Sequence, residues 1–141
     1  MQLSRRQLDK LLYRLSYLGS GSQGVCYVDK SRDLVYKVFH TYTEKENSMY
    51  TMEDILMFSD VVNDTYKFPK DVIMVDGIVE GYTLDYFRGH DLCQMNPFRI
   101  NLDNFENLIS KVYEDIKIIS DKGVLTYDVL YNIMYSKDAL A

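Results

Sequence analysis

The stretch Gly19-Ser20-Gly21-Ser22-Gln23-Gly24-Val25-Cys26-Tyr27 (GSGSQGVCY) has glycine at its first, third and sixth positions. A G-x-G-x-x-G run is a weak signal alone, and the residues after its last glycine decide its meaning. In a dinucleotide-binding unit the last glycine opens a helix, whose N-terminus holds the pyrophosphate. Here Gly24 precedes Val25-Cys26-Tyr27-Val28, a β-prone run in which no helix begins. The dinucleotide reading therefore fails. A second apolar run, Leu34–Phe39, comes after the polar residues Asp29-Lys30-Ser31-Arg32-Asp33. The pattern predicts a glycine loop leading into a β-hairpin, with Lys37 on the second arm between apolar neighbours.

Working outward, Ser4 is placed to cap a helix running through Leu15, with Leu8, Leu11, Leu12 and Leu15 on one face. Arg5, Arg6, Lys10 and Arg14 then fall on its solvated side. Residues 44–62 carry Met49, Met52, Ile55, Leu56 and Val62 near a helical period, and Phe68-Pro69 breaks the chain. Asp71–Asp76 and Ile78–Phe87 read as two strands around Gly77, with a further turn at Gly89. After Pro97 an amphipathic helix is predicted, with Phe105, Leu108, Ile109, Val112, Ile116 and Ile119 as its stripe and Gly123 as its end. The tail alternates in part and reads as a short hairpin or loop. The fold class is α+β with an antiparallel sheet.

Composition narrows the function classes. With 141 residues the chain suits one domain, and a net charge of −5 with a pI of about 4.9 argues against non-specific nucleic-acid binding. Cys26 and Cys93 match no metal-ligand spacing and make no disulfide framework, which points to a reduced, cytoplasmic setting. The charged N-terminus does not read as a signal peptide, and no apolar run is long enough to span a membrane. His40 and His90 read as isolated polar histidines.

Four segments, in order, resemble the protein kinase superfamily of eukaryotic type. LGSGSQGVCY is similar to its glycine-rich loop, and VYKVF to the strand that carries the ATP lysine. TLDYFRGHDL resembles the hinge, and DKGVLTYDVLYNIMY the end of the long helix with the catalytic loop. The resemblance spans roughly residues 15–135. It implies a single kinase-like domain over 1–141, shorter than the family's full domain. Residues 1–86 would form a small lobe with its αC-type helix, and 87–141 the hinge and part of a large lobe.

The implied site takes ATP and Mg²⁺. Gly19, Ser20, Gly21, Ser22, Gly24 and Cys26 would surround the phosphates and nucleotide, and Lys37 would orient the phosphates. Glu53 fits best as the carboxylate holding Lys37, with Leu56 and Met57 after it as an inward pair; Glu46 is the alternative. Leu84 would set pocket depth, the backbones of Asp85 and Phe87 would bond adenine, and Asp91 would lie near the ribose. Asp128 would be the catalytic base and Asn132 the metal ligand.

The sequence also differs from the family pattern. Thr126 and Tyr127 stand where His and Arg precede the base, and Asp128 to Asn132 is one residue shorter than the usual spacing. Gln23 occupies the loop tip, where an aromatic is common. No D-F-G motif, whose aspartate holds Mg²⁺, occurs in the sequence. The closing KDALA shows neither a helix cap nor a strand partner, which favours a chain cut short. Two functions are expected: a kinase-like ATP-binding protein with weak or absent transfer to a protein substrate, or a pseudokinase-like module that docks to a partner or pairs with itself through the 105–119 helix.

Overall fold

The structure is a computed structural model that describes residues 1–40, 51–126 and 132–141. It divides into two compact units, one of residues 1–60 with 68–86 and one of residues 61–67 with 87–141.

The first unit is built on a six-stranded sheet. Its strands are β1 (Gln2–Leu3), β2 (Ser16–Ser20), β3 (Gly24–Asp29), β4 (Leu34–Phe39), β5 (Asp71–Val75) and β6 (Ile78–Asp85), in the order β1-β5-β6-β4-β3-β2. All neighbours are antiparallel except β1, which runs parallel to β5. The sheet is therefore mixed, not purely antiparallel as expected; two residues carry too little pattern to reveal β1 in advance. The glycine loop does feed a hairpin, β3–β4, as its apolar runs predict. Asp76 and Gly77 turn β5 into β6 with positive φ values of 51° and 83°, the conformation that an Asp-Gly hairpin turn requires.

Helix α1 (Arg5–Arg14) forms where its period places it. The Ser4 hydroxyl accepts from the Gln7 amide, and the Gln7 side chain returns to the Ser4 amide, so two orphan donors of the first turn are satisfied. Its apolar face covers one side of the sheet, where Leu8, Tyr36, Ile73 and Val75 form a buried cluster flanked by Leu11, Leu12 and Leu15. The basic residues lie outside, and Arg5 forms a two-pronged ion pair with Glu80. With Tyr36 under α1, strand alternation sends Val35 and Lys37 to the opposite face.

Two glycines let the strands close around Lys37. A Cβ on Gly81 would run into the Lys37 backbone oxygen, and one on Gly24 into that of Val38. Gly81→Ala is expected to destabilise by about 1–3 kcal/mol, because β4 and β6 would have to part. Urea unfolding reads this directly, and a shift below about 0.5 kcal/mol would show that the strands adjust without strain.

The helix expected over 44–62 is corrected. Residues 41–50 lie outside those described, and the described part, α2 (Met52–Leu56), ends well before Val62. A capping box between Thr51 and Asp54 starts it. The Thr51 amide, then its hydroxyl, hold the Asp54 carboxyl below its ordinary range, so this cap fades as pH falls through the lowered value. Beyond Leu56 the chain makes local side-chain bonds instead: Asn63 accepts from the Tyr66 amide and donates to the Tyr66 carbonyl. Met57, expected to face inward with Leu56, is exposed.

The second unit is organised by α3 (Leu102–Asp121), capped at its start by the Asn101 side chain. Gly123, at φ 81°, ends it: its amide bonds the Ser120 carbonyl while the Val124 amide reaches Ile119. Leu108, Tyr135 and Leu140 form the buried centre, with Phe105 and Val112 against them. Ile109, assigned to the stripe, is instead exposed, while Asp115, not assigned to it, is buried alongside Leu108 and Ile119. The described tail is hairpin-like: β8 (Met134–Tyr135) pairs with β7 (His90–Asp91), and Tyr135 bridges Leu140. KDALA thus has a strand partner, contrary to expectation, because Ala139 and Ala141 bond back to Ser136 and Met134. Among the described residues no helix is long and apolar enough to cross a membrane.

Candidate functional site

Strand pairing decides how much of GSGSQG is loop. Gly19 and Ser20 belong to β2, opposite Cys26 and Val25, so the loop proper is Gly21-Ser22-Gln23. The Gly21 amide bonds the Gly24 carbonyl at 2.9 Å and closes it. His40 anchors the tip from the next strand. Its amide donates to the Gln23 carbonyl at 3.0 Å, which continues the β3–β4 ladder past its ends. Its Nε2 lies 2.9 Å from the Gly21 carbonyl oxygen, and because a carbonyl only accepts, the ring donates through Nε2–H. Sequence alone reads His40 as an isolated polar residue; its place opposite Gln23 emerges only from the register Gly24↔Phe39.

Lys37 lies in the middle of β4 between Cys26 on β3 and Tyr82 on β6. Its Nζ donates to Gln23 Oε1 at 3.0 Å and sits 5.5 Å from the centre of the Tyr82 ring. The ammonium is thus held beneath the tip of the glycine loop, against an aromatic face that favours a cation. Cys26 and Val35, and Leu84 opposite Val35, share the Lys37 face of the sheet by strand alternation. Burial pushes the Cys26 thiol above its ordinary pKa, and the nearby Lys37 charge partly offsets this.

This environment sets thiol reactivity. Cys93 is exposed while Cys26 is half-buried with a raised pKa, so a thiol reagent near pH 8 is expected to label Cys93 first. Lys37→Ala removes the opposing charge and should slow Cys26 labelling further. Peptide mass mapping checks both, and equal rates at the two thiols would contradict the buried setting of Cys26.

The other expected site residues are spread more widely. Glu53 is exposed on α2, and among the described residues no ion pair joins it to Lys37, whose ammonium is bonded to Gln23. Leu84 and Asp85 end β6, with the Asp85 carboxylate 2.6 Å from Lys70 Nζ. Phe87 and Asp91 belong to the second unit. There the Phe87 carbonyl accepts from Gly89, and Asp91 accepts from the Cys93 amide as a cap. Asn132 lies in an exposed bend of the same unit, while Glu46 and Asp128 fall outside the described residues.

The first unit fits a phosphate group in two respects. Open space lies where a Cβ of Gly19 or Gly21 would be, so an outside group can approach the backbone, and an ammonium is held under the loop tip. For the metal the donor set is thinner: among the described residues no group of three His, Cys, Asp or Glu side chains could hold an ion.

No protein-family model matches the chain, and no curated protein matches its sequence.

Proposed function

We propose that the chain is a kinase-like ATP-binding protein whose glycine loop and Lys37 cradle the phosphates. The observation that carries this reading is the hydrogen bond from Lys37 Nζ back to Gln23 at the loop tip. A loop between antiparallel strands, with a lysine on the next strand reaching under it, is the arrangement a phosphate cradle needs. The order of β2, β3, β4, a helical segment, β5 and β6 also agrees with a kinase-like small lobe. In this reading Leu84 and the backbone of Asp85, at the end of β6, serve the nucleoside. Glu53 would hold Lys37, Asp128 would take the proton of a protein hydroxyl, and Asn132 would help hold Mg²⁺. Transfer is weak or absent, since the sequence has no D-F-G aspartate and its Asp128–Asn132 spacing is short. A module of this kind, whose two thiols form no disulfide, works in the cytoplasm.

A second reading, protein docking without transfer, rests on a different feature. Leu102, Ile109 and Tyr113 succeed one another at helical spacing on the exposed side of α3, and Phe98 just before it is 95% exposed. A partner protein or a second copy would cover such a stripe.

Calorimetric titration with ATP, with and without Mg²⁺, tests the first reading. Binding that Mg²⁺ strengthens and Lys37→Ala weakens at least tenfold is the expected result. Binding indifferent to Lys37 would remove the phosphate cradle, and no binding would leave the docking reading in front.

A further inference from the structure

We propose that Gln23 is a built-in latch on the nucleotide site: its side-chain amide takes up one donor of the Lys37 ammonium and competes there with an incoming phosphoryl oxygen. This inference rests on the ATP-binding reading and concerns how that site is regulated. The geometry is specific. The Gln23 backbone is fixed from the opposite strand by the His40 amide, and the tip is fixed again by the His40 ring on Gly21. With its backbone held on both sides of Ser22, Gln23 directs its Oε1 to 3.0 Å from Lys37 Nζ. A neutral carbonyl oxygen accepts from an ammonium as a phosphate oxygen would, but brings no charge. Ligand binding therefore competes with Gln23 at Nζ, and the affinity of the site is lowered by whatever part of the Gln23 bond is lost to the ligand. A phenylalanine at this tip would have no such acceptor, so the glutamine side chain is what closes the latch.

The test compares wild-type protein, Gln23→Ala and Lys37→Ala in ATP titrations, together with the rate at which acetic anhydride acetylates Lys37, read by mass spectrometry without nucleotide. A latch predicts that Gln23→Ala binds ATP several-fold to roughly tenfold more tightly, the size expected for one ordinary solvent-exposed hydrogen bond. It also predicts that Lys37 in this variant is acetylated several-fold faster. Equal or weaker ATP binding by Gln23→Ala would overturn the proposal, since Gln23 would then be a bystander or a ligand contact. If no protein binds ATP, the nucleotide reading itself fails, and the acetylation rate still decides whether Gln23 holds Lys37 in solution. An unchanged rate overturns the latch. Gln23 is exposed at a loop tip, so its truncation leaves the fold intact.

Discussion

Tyr36→Ala is expected to cost about 3–5 kcal/mol, the range for removing a fully buried aromatic ring. Tyr36 is 1% exposed and lies centrally on β4, under α1, with Leu8, Ile73 and Val75 around it. Leu8 is equally buried on the helix side, so the ring is the surface on which α1 rests. No neighbouring strand can shift to fill the void, because β4 is paired on both edges. The protein's whole stability is expected to be about 5–15 kcal/mol, so this one change removes a large share of it. The melting temperature should fall by on the order of 10 °C. Tyr13→Ala is the control, since Tyr13 is 93% exposed on the same helix and its loss should stay within about 0.5 kcal/mol. If both variants melted alike, α1 would not be seated on the sheet as described.

What can be read in advance depends on how local its cause is. Helix α1, the β3–β4 hairpin and α3 are legible because each is set by periodicity within its own segment and by caps next to it: Ser4, the Asp29–Asp33 turn and Gly123. Strand β1 is not, since its support comes from partners such as Met74 and Val75, some seventy positions on. Periodicity overextends the 44–62 helix because Val62 fits the period, whereas the chain already turns after Leu56, where the Ser59 amide bonds the Leu56 carbonyl. For the candidate site, the glycines and Lys37 stand out by residue type and context. The roles of Gln23 and His40 depend on cross-strand register, which exists only once β3 and β4 are aligned. Glu53 stands out only by its neighbours, and one of them, Met57, is exposed, so its orientation has no local cause to be read from.

Asp115 offers the clearest test in the second unit, where Asp115→Ala is expected to destabilise by about 2–4 kcal/mol. The carboxylate is 8% exposed, and its Oδ2 accepts from the Thr65 amide at 2.8 Å, the Thr65 hydroxyl at 2.5 Å and the Asp64 amide at 3.2 Å. Segment 61–67 is thereby tied to α3 by one oxygen. Thr65 is itself buried, so without Asp115 its amide and hydroxyl lose their acceptor away from water, which costs more than the bonds contribute when made. A signal for this is present in the sequence: Asp115 falls in phase with Leu108, Val112 and Ile119, where a carboxylate is out of place unless donors meet it. Asp115→Asn separates charge from shape. Its carbonyl oxygen keeps the shape but carries no charge, so it should recover about half of the loss. Hydrogen exchange at the Thr65 amide gives the local readout, with protection falling in the order Asp, Asn, Ala. If asparagine matched aspartate in both stability and protection, the charge would contribute nothing, and Asp115 would act only as a neutral acceptor under the 61–67 segment.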